Sequence, residues 1–88
     1  MSYWNYRILV REYEEENVFS IHEVHYDNND KPILHSVDGI NPQGDSIKNL
    51  KMDISLMKKA FKKPILYYGE KFPQEYELIG ISNKSIEN

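Results

Sequence analysis

Residues 18–27 read VFSIHEVHYD, and the backbone conformation of this stretch decides the fold. His22, Glu23 and His25 come within one residue of the His-Glu-x-x-His pattern, in which two histidines one helical turn apart share a zinc ion. On a strand the same two histidines point to opposite faces of the sheet and cannot share a metal. The composition favours the strand, since Val18, Phe19, Ile21, Val24 and Tyr26 are β-branched or aromatic. Turn-forming runs bracket it, the polar stretch 14–17 on one side and NNDKP (28–32) on the other. His35 on the following strand adds one imidazole to either histidine, and two imidazoles without a third ligand make a poor zinc site. No metal, no cofactor and no catalytic residue are therefore expected.

Working outward, YWNYRILVREYE (3–14) alternates, with Trp4, Tyr6, Ile8 and Val10 on one face and Asn5, Arg7, Leu9 and Arg11 on the other. Pro32 opens a third strand over 33–37, where no ladder donor is needed. Asp38-Gly39, Pro42 and Gly44 mark a loop, after which Asp45 or Ser46 can cap a helix. Ile47, Leu50, Ile54, Met57 and Phe61 then recur at spacings of 3 and 4, one buried helical stripe. Pro64 stops that helix. ILYY (65–68) and EYELIGI (75–81) read as short strands. The expected fold is α+β, a three-stranded antiparallel meander with one helix packed on a face and a short C-terminal strand, in the order β-β-β-α-β. Residues 1–81 are expected to form one domain and 82–88 a flexible tail.

The chain of 88 residues is large enough for one modest core, so pairing with a second copy is an easy route to stability. It has no cysteine and no signal-peptide or membrane-spanning run. A soluble, cytoplasmic protein is expected. The net charge of −3 is segregated: residues 46–63 hold six lysines against Asp53 alone, whereas residues 1–45 hold nine acidic and three basic side chains. Lys48, Lys51, Lys58, Lys59, Lys62 and Lys63 form a basic strip beside the apolar stripe, the possible contact surface for a nucleic-acid backbone. An acidic pI near 5.5 favours a solvated helix face instead.

Met52, Leu56 and Ala60 lie roughly opposite the main stripe at spacings of 4, and a helix apolar on two sides is usually covered on both. These three residues are the expected interaction surface, covered by the tail or by another chain. Enzymatic motifs are weak by comparison. Gly44-Asp45-Ser46 lacks the lysine and further glycines of a phosphate loop, and the carboxylates of 14–16 and 27–30 sit at hairpin tips where water solvates them. No serine has a base and orienter at recognisable spacing.

The runs FSIHEVHYDNNDKPI (19–33) and DISLMKKAFKKPIL (53–66) resemble a family of short, uncharacterised bacterial proteins with an Ile-His-Glu-Val-x-Tyr-Asp strand and a helix ending in Lys-Pro-Ile/Val-Leu. That likeness implies no activity. Three strands followed by QGDSIKNLKMDISLMKKA (43–60) are also similar to the HicB-like antitoxin domain, with Ile47-Lys48-Asn49 in place of its Glu-Glu-Ala helix start. The second likeness implies a partial ribonuclease-H-type fold and an antitoxin-like partner protein. The expected function is a non-enzymatic, homodimeric protein-binding module, antitoxin-like or inhibitor-like; the alternative is a nucleic-acid binder using the helix lysines.

Overall fold

A computed structural model describes residues 3–77. Among them β1 (Tyr3–Glu12), β2 (Asn17–Tyr26) and β3 (Pro32–His35) are followed by α1 (Ile47–Lys58), a 3₁₀ turn (Lys59–Lys62) and β4 (Leu66–Tyr67). The fold is mixed α+β. Its four-stranded sheet has the order β3-β2-β1-β4, so the expected meander is present, and the late strand joins it beside β1 in parallel, with Leu9 opposite Leu66. EYELIGI contributes only a bridge from Glu75 to Leu66 among the described residues; its remainder and the expected tail lie outside them.

The β1–β2 hairpin is in register from Tyr3↔Tyr26 to Glu12↔Asn17, and its turn closes with Tyr13 N–H donating to the Glu16 carbonyl. At the β2–β3 turn the Asp27 carboxylate accepts the backbone N–H groups of Asn29 and Lys31 at 2.8 and 3.0 Å, which holds Asp27 below the usual carboxylate range. Ser46 caps α1, accepting from Asn49 N–H at 3.1 Å. Gly44 is required just before that cap, because a Cβ there would lie 2.3 Å from the Leu50 nitrogen. Lys63 is already extended, as the residue before a proline should be, and the helical run ends there.

The helical stripe is buried only in part. Met57 is buried, but Ile47 and Phe61 are each 70 % exposed and Ile54 is also exposed. Only the C-terminal end of the helix settles onto β1, where Met57 and Ala60 pack with Tyr6 and Ile8. Its N-terminal turn overhangs. The opposite face of the sheet has a second apolar cluster, in which Leu9, Val24, Tyr26 and Leu66 are covered by Tyr68 and Phe72 from the segment after β4. Both faces of β1 are therefore buried, which explains why Leu9 and Arg7 are as inaccessible as Ile8. No helix of the described residues is long and apolar enough to cross a membrane.

Candidate functional site

An apolar groove of about 440 Å³ lies between α1 and β2. Ile8, Ile21 and Met57 form its floor, and Phe19, Ile40, Ile54 and Phe61 its walls. The Lys58 side chain stands at its margin. Phe19 is fixed by edge-on contact with Tyr76, ring centroids 5.7 Å apart. Ile54 and Phe61, which the 3–4 spacing marked as core, thus line an accessible surface that can hold an apolar side chain from another molecule.

The expected interaction surface divides. Met52 and Leu56 are exposed, whereas Ala60 is wholly buried against Tyr6 and Ile8. Ala60 is a core residue: it follows Met57 by three positions, so it lies on nearly the same side of the helix, at the end that packs on β1, whereas Met52 and Leu56 lie further round and stay exposed. All six lysines, Lys48, Lys51, Lys58, Lys59, Lys62 and Lys63, are exposed. Lys48 and Lys51 belong to the overhanging first turns and the other four to the end that meets the sheet.

On the opposite face, β2 brings Ser20 and His22 to one side and β3 adds His35. Gly69 N–H donates to His35 Nε2 at 3.2 Å, so His35 carries its proton on Nδ1 and donates it to the Ser36 carbonyl at 2.7 Å. His22 Nδ1 reaches the same carbonyl at 3.0 Å, which leaves its Nε2 as acceptor for the Ser20 hydroxyl at 2.9 Å. Burial holds His22 below its ordinary value, against the hydrogen bond to Ser36, with the neighbouring His35 and Arg11 adding to the lowering. Tyr68 closes the cluster, its hydroxyl donating to the Val37 carbonyl at 3.0 Å and its ring lying 3.9 Å beneath the Arg11 guanidinium. His25 lies on the other face beside Trp4 and Glu23, as the strand periodicity requires. Among the described residues no three His, Cys, Asp or Glu side chains gather as metal ligands.

Arg7 is the most unusual buried group. Nη1 donates to the Tyr26 hydroxyl at 2.7 Å and Nη2 to the Pro64 carbonyl at 2.8 Å, while Nε has no partner. Among the described residues no carboxylate forms an ion pair with it. Sequence reasoning placed Arg7 on the half-polar face of β1 and missed its burial, because the covering residues come from the far end of the chain. The Ser20–His22 pair was also missed, although its spacing of two on a strand is the signal that puts two side chains on one face.

Comparison with protein-family models, with curated proteins and with solved structures finds no match to this chain.

Proposed function

We propose that this chain is a small non-enzymatic protein-binding module, antitoxin-like or inhibitor-like and homodimeric, which receives an apolar segment of a partner protein in the groove between α1 and β2. The observation that carries the reading is Phe61: a large aromatic residue in the helical stripe, exposed to water and lining a preformed apolar groove. Exposed aromatic side chains beside a groove are characteristic anchors for a partner. The lysines along the same helix give the margin a positive charge, which suits a partner segment with acidic flanks.

The test uses paired baits, the wild-type chain and Phe61→Asp, in extract of the source cells, followed by reconstitution of the captured complex from pure components. One protein held stoichiometrically by the wild type and lost with Phe61→Asp, at unchanged circular dichroism, is the expected result. The nucleic-acid alternative rests on the exposed lysines. It replaces the first reading if binding to single-stranded nucleic acid falls steeply with salt and survives Phe61→Asp.

A further inference from the structure

The two edges of the sheet are finished differently. Beyond β4 the chain covers its own edge: Tyr67 N–H donates to the Gln74 carbonyl and Tyr76 N–H to the Ile65 carbonyl. At the other end β3 is the last strand, and no described strand pairs with its outer side. Natural sheets blunt such an edge with shortness, proline or charge; β3 has four residues and opens with Pro32, but its remaining outer length carries no charged side chain. Here Ile33, Leu34 and, just beyond the strand, Val37 are 52, 55 and 71 % exposed. Leu34 also ends a row of neighbours on the helix face, in which Trp4 lies opposite His25 and His25 opposite Leu34. The row runs straight to the open edge.

We propose that β3 is a homodimer seam, two copies pairing antiparallel through their outer β3 edges about a two-fold axis at Leu34. This rests on the reading of the chain as a self-associating module and assigns the surface that does it. An unpaired strand edge specifies its occupant more closely than an apolar face does, because an extended backbone in register replaces water on a whole row of its N–H and C=O groups at once. A two-fold axis makes one edge complementary to itself. The register follows from the hydrogen bonding already present. Ser36 N–H is turned inward to the Glu23 carbonyl, so alternation turns the peptide groups of Ile33 and His35 outward. With the axis at Leu34, Ile33 of one copy exchanges backbone bonds with His35 of the other. Leu34 then meets its own counterpart in a non-hydrogen-bonded pair, where side chains approach most closely. The seam uses none of the residues that line the groove.

The absence of cysteine from the chain makes the seam directly testable. Cα atoms of a non-hydrogen-bonded antiparallel pair are about 4.5 Å apart, within disulfide reach. Leu34→Cys is expected to oxidise to a covalent dimer, while Phe61→Cys stays a free thiol. In light scattering the wild type should show twice the 10.5 kDa chain mass, and Leu34→Lys should return it to the single-chain value with unchanged circular dichroism. A wild type of single-chain mass throughout its soluble range overturns the proposal. So does a dimer that survives Leu34→Lys, or one cross-linked by Phe61→Cys and not by Leu34→Cys, which would put the second copy in the groove. The two readings fail separately: loss of the seam leaves Phe61-dependent partner binding in place, and an empty groove leaves the doubled mass in place.

Discussion

The Tyr6 hydroxyl on β1 donates to Asp53 Oδ1 on α1 at 2.6 Å. Asp53 Oδ2 accepts the Gln43 N–H at 2.8 Å, so one carboxylate joins the helix to the sheet and to the loop before it. Asp53 is the lone acidic residue among the six helix lysines. Its position is explained by this bond and not by charge balance on the helix.

The bond defines a pH window. The hydrogen bond from Tyr6, followed by that from Gln43, holds Asp53 below its ordinary value of 3.8, so its contribution to stability is present above that value and is lost as pH falls through the folded one. Burial, then the Asp53 hydrogen bond, raises Tyr6 from 10.0 to about 12, so its contribution is full below 10.0 and is lost as pH rises through about 12. Denaturant midpoints of Tyr6→Phe are expected to lie below wild type at neutral pH and to lose the alkaline decline. A Tyr6→Phe midpoint equal to wild type at neutral pH would show that the bond adds nothing to stability.

The helical stripe should respond unevenly to truncation. Met57→Ala is expected to cost about 2 to 5 kcal/mol, the usual penalty for a buried large-to-small change. Ile47→Ala should stay within about 0.5 kcal/mol, as for an exposed position. Urea denaturation of the two variants checks this, and equal losses would mean that the helix lies flat along its whole stripe.

Arg7 and Tyr26 should behave asymmetrically. Tyr26→Phe leaves the buried Nη1 donor without its acceptor and is expected to cost about 1 to 3 kcal/mol. Arg7→Met leaves the Tyr26 hydroxyl and the Pro64 carbonyl without their donor, but it also removes a desolvated charge that no described carboxylate compensates, so the two effects offset and its loss is expected to be the smaller, below about 1 kcal/mol. Thermal melts of both variants and their double mutant give the coupling. A larger loss in Arg7→Met than in Tyr26→Phe contradicts this account.

Acid should act first through His22. Burial depresses its folded value below 6.5, so the unfolded chain binds the extra proton more readily, and stability is present above 6.5 and declines as pH falls below it. His22→Gln is expected to flatten the decline that sets in below pH 6.5. An unchanged slope in that variant would assign the acid sensitivity to another group.

Local patterns made much of the architecture legible. The alternation from Tyr3 to Glu12, the β-branched run around His22 and the Ser46 cap each depend on near neighbours, and each appears where the sequence places it. What was not legible depends on tilt and on distant cover. A spacing of 3 and 4 shows that Ile47, Ile54, Met57 and Phe61 share a helix side; it cannot show that only the C-terminal turns rest on β1. Likewise nothing near Arg7 in sequence reveals that Tyr26, Pro64, Tyr68 and Phe72 gather on its side of the sheet. Two of the residues expected in the core, Ile54 and Phe61, line the groove instead.

The parallel pairing of Leu9 with Leu66 sets an order of events during synthesis. β1 is made first, and hairpin closure with β2 needs only the next turn. Its other edge has no permanent neighbour until β4 appears, 57 positions later. At about 5–20 residues per second that is a wait of roughly 3 to 11 s. Over that interval Leu9 and Val10 sit on an unfinished strand rich in apolar residues, so the nascent chain is most exposed to misassociation before β4 has been added.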